Sequence, residues 1–190
     1  MPDISGVSAQ RLPIVGVMGS GTSAHAELSE PLGDWLARLG VHLLTGGGGG
    51  VMECVGRAFC AVPERRGLHL GVLPGDPGAG GASPPGYPNS WVEIPLRTHL
   101  PSRGSAGAGA DSRNHINVLS CDVVVALPGG EGTASEVALA LRYGRPVVAF
   151  ARSGESVPAL PPGVEVYAEL AQVQAFVRAH LPRVPEGGSG

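Results

Sequence analysis

The stretch from Asp122 to Arg145, DVVVALPGGEGTASEVALALRYGR, constrains the fold of this chain more than any other. It reads as a buried strand at Val123–Leu127 and then a sharp turn through Pro128-Gly129-Gly130-Glu131-Gly132-Thr133. An apolar helix carrying Val137, Leu139, Ala140 and Leu141 follows. A strand, a glycine turn and a helix in succession leave unpaired backbone N–H groups and the positive end of a helix dipole over a crevice. Phosphate or another anion fits there.

The same pattern occurs earlier in the chain. Pro13–Met18 reads as a strand, Gly19-Ser20-Gly21-Thr22-Ser23 as a turn, and Ala24–Leu39 as a helix with an apolar face at Leu28, Leu32, Trp35, Leu36 and Leu39, ended by Gly40. Val41–Thr45 reads as a second strand, followed by the glycine run Gly46–Gly50 and a helix over Val51–Phe59. In that run, Gly47, Gly48 and Gly49 imply close backbone approach, either to a ligand or to packing neighbours. Leu68–Leu73 reads as a third strand, Trp91–Ile94 as another, Ser112–Ser120 as a helix, Pro146–Phe150 as a strand, Glu165–Tyr167 as an extended piece and Ala168–His180 as a closing helix. Strands alternating with helices predict one α/β domain, a Rossmann-like parallel sheet with helices on both faces. The turns at Gly19, Gly46 and Gly129 should then meet at the carboxyl ends of the strands.

Two glycine- and proline-rich stretches, residues 74–90 and 101–111, read as flexible loops, the second as cover over a site because it leads into Arg113. Residues 1–12 read as a loose arm and 182–190 as a tail.

The candidate ligand-binding residues follow from these turns. Gly19, Ser20, Gly21 and Thr22 form the first turn, and Gly47, Gly48 and Gly49 the second. In the third, Pro128, Gly129, Gly130 and Gly132 let backbone approach phosphate while Thr133 adds a hydroxyl donor. Glu136, placed on the first turn of the helix, is suited to accept hydrogen bonds from a ligand hydroxyl or to act as acid or base, and it also favours the helix dipole. Arg113 is a candidate anion clamp, with Asn114 beside it. Glu131 is expected to point to solvent, since a carboxylate is a poor neighbour for phosphate.

Composition removes several alternatives. All 13 basic residues are arginine, so Schiff-base and pyridoxal-phosphate chemistry and a lysine-dependent nucleotide loop are excluded. GSGTS lacks the full dinucleotide fingerprint, and Leu44 and Thr45 stand where an acidic residue would hold a ribose. The six histidines and three cysteines show no metal-ligand spacing, so no structural metal is expected and Cys54, Cys60 and Cys121 read as small buried thiols. A net charge of −3 gives no general attraction to nucleic acid or anionic membrane. With no signal peptide and no membrane-length apolar run, the expectation is a cytoplasmic protein.

The segments GGGGGVM, SRNHINVLSCDVVVALPGG and EGTASEVALALRYG resemble the superfamily once labelled "lysine decarboxylase-like", over about Pro13–Phe150 and into the final helix. Its LONELY GUY phosphoribohydrolases release cytokinin bases from nucleotides. That resemblance implies catalytic roles for the arginine and glutamate matched here by Arg113 and Glu136, but Asn114 stands where those enzymes have lysine. YPNSWVEIPLRTHLP together with SRNHINVLSCDVVVALPGG is similar to the molybdenum cofactor carrier branch. That likeness implies a homo-oligomer, dimer or tetramer, holding a phosphorylated pterin, the molybdenum cofactor, without turnover. The alternatives are a phosphoribohydrolase of nucleoside 5'-monophosphates and a sensor domain binding a nucleotide-like signal.

Overall fold

The inner strands of the sheet bury both faces, and the order of side chains along one of them shows how. The computed structural model describes residues 11–80, 82–152 and 160–182. In chain order the elements are β1 (Ile14–Met18), α1 (Ala26–Leu39), β2 (His42–Thr45), α2 (Val51–Ala61), β3 (His69–Leu73), β4 (Ile94–Arg97) and α3 (Asn114–Leu119). They continue with β5 (Val123–Ala126), α4 (Glu131–Arg142), β6 (Val147–Phe150), β7 (Glu165–Tyr167) and α5 (Leu170–His180). The strand order is β4-β3-β2-β1-β5-β6-β7, with every neighbouring pair parallel. This is the α/β Rossmann-like architecture that the alternating pattern predicts.

Val123, Val125 and Leu127 point from β5 and its end into a cluster with Leu28 and Leu36 of α1, Phe59 of α2 and Val173 and Val177 of α5. Val124 and Ala126 point the other way, onto Val118 of α3 and Val137 and Ala140 of α4. The two-residue period of a strand thus feeds two cores, and burying each valine or leucine contributes about 1.5–3 kcal/mol at most. Gly40 closes α1 in the left-handed conformation at φ 79°, as expected of a helix-ending glycine.

Several boundaries differ from the sequence reading, each for a local reason. The strand expected at Trp91–Ile94 begins only at Ile94. Asn89 Oδ1 accepts the Trp91 N–H at 3.0 Å and the Glu93 carboxylate accepts the His69 N–H at 2.9 Å, so residues 91–93 are held in a turn. α1 starts at Ala26, not Ala24, because Ser20 Oγ accepts the N–H groups of Thr22 and Ser23 and His25 is left-handed. α4 begins at Glu131, so Gly132 and Thr133 belong to the helix, not the turn, and Glu136 lies on its second turn instead of its first. The two loops contain short 3-10 turns at Pro77–Ala79 and Gly104–Ala106 and bridges joining Asp76 to Ala82 and Ser102 to Ser112.

Residues 1–10 of the expected arm and 183–190 of the expected tail lie outside the described residues. Arg11 is tied to the sheet, its Nη2 donating to Asp122 Oδ1 at 2.8 Å. No helix among the described residues is long and apolar enough to cross a membrane.

Candidate functional site

β1 and β5 are neighbours where the strand order reverses, so the loops leaving their carboxyl ends open a crevice between them. Those loops are joined by backbone: the Ser20 N–H donates to Pro128 O at 3.0 Å, and the Val51 N–H of α2 donates to Ser20 O at 2.9 Å. α4 has Gly130 at its N-cap and no side-chain cap. Its first helical bond runs from Ala134 N–H to Gly130 O at 3.1 Å, so the N–H groups of Glu131, Gly132 and Thr133 have no acceptor within the helix. A cleft of about 430 Å³ lies over this end of α4.

Of the residues expected from the sequence, the cleft brings together Gly19, Ser20, Gly21 and Thr22 from the first turn and Gly130, Gly132, Thr133 and Glu136 from the third, with Arg113 and Asn114. Pro128, Gly129, Gly47, Gly48 and Gly49 do not line it. Two of the glycines are tightly packed. A Cβ on Gly48 would lie 2.9 Å from the Tyr87 ring, and one on Gly129 would collide with Thr133 Oγ1. Gly47 and Gly48 lie close to Leu73, Tyr87 and Met52, which matches one of the two uses the composition of the run allowed.

Arg113, just before α3, is only 5% exposed. Its Nη1 donates to the Val72 carbonyl at the end of β3 at 2.7 Å, its guanidinium carbon stands 5.7 Å from the centre of the Tyr87 ring, and its Nε is buried with no hydrogen-bond partner. Gly46 makes room for it, since a Cβ there would fall 2.5 Å from Nη1. Burial pushes its pKa down while Glu136 pulls it up, and an arginine remains charged under either influence.

Glu136 is 8% exposed. Its Oε1 accepts from Asn117 Nδ2 at 2.8 Å, and burial raises its pKa above the ordinary carboxylate value against the lowering effects of Arg113 and Asn117. Arg113 and Glu136 feel each other's charge but make no ion pair within 4.0 Å, so the two residues matched by the resemblance are coupled across the cleft without direct contact. Asn114 donates through Nδ2 to Ser135 Oγ at 2.9 Å, which fixes α3 to α4. Glu131 is exposed, as expected.

Four cleft residues were not among the sequence candidates: Met52, Tyr87, Arg103 and Gly104. Arg103 stands 5.8 Å from the Tyr87 ring centre, so both guanidinium groups approach one aromatic ring. Arg103 had a signal, being the one charged side chain in SRGSAGAGA. Tyr87 had a weaker one, the one aromatic in its glycine–proline loop. Asn117 carries no such signal, because nothing in a helical run marks which asparagine faces a carboxylate.

No cluster of three or more His, Cys, Asp or Glu side chains among the described residues could hold a metal ion. Cys54 and Cys121 are buried as expected, whereas Cys60 is half-buried with its thiol pushed up to about 11 by desolvation.

The model of the SLOG cluster4 family matches residues 12–176. Among solved structures, the molybdenum cofactor binding protein of Rippkaea orientalis is 31% identical with a TM-score of 0.68, covering 90% of this chain and 98% of that one. The molybdenum cofactor carrier protein of Chlamydomonas reinhardtii is 36% identical with a TM-score of 0.64, covering 89% and 97%. An uncharacterized protein of Archaeoglobus fulgidus is 28% identical over 142 residues, 74% of this chain and 81% of that protein.

Proposed function

The chain belongs to the SLOG cluster4 family, and from that premise we propose that it is a single Rossmann-like domain that binds the molybdenum cofactor and carries it without turnover. The observation that carries the reading is the convergence of the unpaired α4 N–H groups of Gly132 and Thr133 and the buried Arg113 on one cleft, in a chain 31–36% identical to molybdenum cofactor binding and carrier proteins.

The residues fit a phosphorylated pterin as cargo. The N–H groups of Gly132 and Thr133 and the hydroxyls of Ser20 and Thr22 suit a phosphate, and Gly19, Gly21 and Gly130 let it approach the backbone. Arg113 adds fixed positive charge, its guanidinium held by the Val72 carbonyl and set beside the Tyr87 ring. Tyr87 and Arg103 offer an aromatic and a cationic surface to a flat ring. Ile116 and Leu119 on α3 and Leu141 on α4 are exposed apolar side chains on two helices packed together, which supports a homo-oligomer, dimer or tetramer.

One observation favours the phosphoribohydrolase alternative: Arg113 and Glu136 share the cleft. Against it, Asn114 brings no charge and is already bound to Ser135.

The test is anaerobic incubation of the purified chain with cofactor released from a molybdoenzyme, followed by gel filtration and transfer to a cofactor-free apoenzyme. Retention with the cofactor still competent is expected, and no retention overturns the reading. In parallel, AMP and a cytokinin nucleotide should yield no free base. Release at an enzymatic rate, abolished by Glu136→Ala, would replace carriage with hydrolysis.

A further inference from the structure

A buried carboxylate in a cleft otherwise built for an anion requires its own explanation. Glu136 follows Gly132 by four residues on α4, about 6 Å further along the helix axis, so it stands away from the N–H groups that suit phosphate. The cleft is therefore bipolar. Donors and Arg103 face one region, and an acceptor faces the other.

The state of the carboxylate narrows what it accepts. Oε1 uses one lone pair on Asn117, and Oε2 has no hydrogen-bond partner among the described residues, yet it is not sealed from the cleft as Asn117 Oδ1 is. Asn117 is itself fully buried, so its amide fixes the plane in which the carboxylate presents its remaining lone pairs. Arg113 does not occupy them, being turned to the Val72 carbonyl. A planar carboxylate with both oxygens able to accept matches two adjacent, parallel N–H donors.

Resting on the carrier reading, we infer that Glu136 recognises the paired N–H donors of a 2-amino-4-oxopyrimidine edge, the edge shared by pterins and guanine. The anionic group of the same ligand lies toward the N-terminus of α4. Asn117 is the positioning residue for this contact. A ring that offers one donor, or that opposes a lone pair to the carboxylate, leaves Glu136 buried and unpaired and is rejected.

Mononucleotides with the same phosphate and sugar test this on the full chain. GMP presents two adjacent donors, IMP one, and AMP a lone pair beside a single amino group. Calorimetric titration should rank GMP over IMP over AMP, by about tenfold at each step. Glu136→Gln should collapse the ladder to within about threefold while tightening inorganic pyrophosphate, because one negative charge is gone. Equal affinity for GMP and AMP in the native chain overturns the inference, as does a ladder that survives Glu136→Gln. The carrier reading fails separately: a chain that ranks the nucleotides as stated but does not retain the molybdenum cofactor keeps this edge recognition and loses that function.

Discussion

Arg113 and Glu136 occupy one cleft, each held by its own neighbour, Arg113 by the Val72 carbonyl and Glu136 by the Asn117 amide, and they do not touch. Opposite charges at that separation stabilise each other without neutralising either as a ligand group. The cleft keeps a free cation and a free acceptor, which a closed ion pair would have removed.

Removing the cation should weaken anion binding. Arg113→Met, which fills much of the same volume, is expected to cost about 2 kcal/mol in pyrophosphate affinity by calorimetry. It should also lower folding stability by roughly 1–3 kcal/mol, because the Val72 carbonyl loses its donor and Glu136 its opposing charge. Unchanged affinity in a folded variant would take Arg113 out of the site.

The same result should follow from a residue that touches no ligand. Gly46→Ala places a Cβ 2.5 Å from Arg113 Nη1 and 2.7 Å from Nη2, so the guanidinium must move off its seat. Gly46 does not need a left-handed backbone, so the conflict is confined to the arginine. Stability is expected to fall by about 1–3 kcal/mol and pyrophosphate affinity to fall with it. A variant with lost stability and intact affinity would show that Arg113 does not act through its position.

Glu136 makes stability depend on pH. Burial raises its folded pKa above the unfolded value, so the folded chain holds this proton more tightly. The stability so contributed is present below the unfolded pKa and lost as pH rises through the folded pKa. Urea denaturation across that window should show the native chain weakening with rising pH relative to Glu136→Gln. Parallel curves would mean that Glu136 is already ionised throughout.

Sequence pattern carried the fold because it is a matter of period and punctuation. Apolar runs such as Val123–Leu127 can only be doubly buried, and Gly19, Gly46 and Gly129 end successive strands on one side of a parallel sheet. The cleft was half legible. The glycine turns and Arg113 declare themselves by type and place, but Gly47–Gly49 look identical to ligand-facing glycines although their neighbours are Tyr87, Met52 and Leu73. Tyr87 and Arg103 reach the cleft by folding of long loops, a relation that local propensity does not encode. The Trp91–Glu93 turn is set by Asn89 and by Glu93 across to His69, contacts 2 to 24 residues apart.

His69 gives the last prediction, and it links the sheet to the back of the cleft. Its Nδ1 donates to the Trp91 carbonyl at 2.9 Å, which leaves Nε2 to accept from Thr45 Oγ1 at 2.9 Å, and Thr45 Oγ1 in turn accepts the Gly47 N–H at 3.1 Å. The ring is fully buried and its pKa is lowered to about 4 by desolvation. Because the unfolded chain takes up this proton first, stability is complete above the ordinary histidine value near 6.5 and is lost as pH falls toward 4. The loss should approach about 3 kcal/mol, since each tenfold difference in proton affinity between the folded and unfolded chain is worth ~1.4 kcal/mol. Protonation also removes the acceptor for Thr45 and loosens the Gly47 turn that backs Tyr87, so pyrophosphate affinity should fall over the same interval. Denaturation from pH 7.5 to 4 is the measurement, with His69→Gln as the comparison. A native curve no steeper than the variant's would show that His69 does not hold this turn.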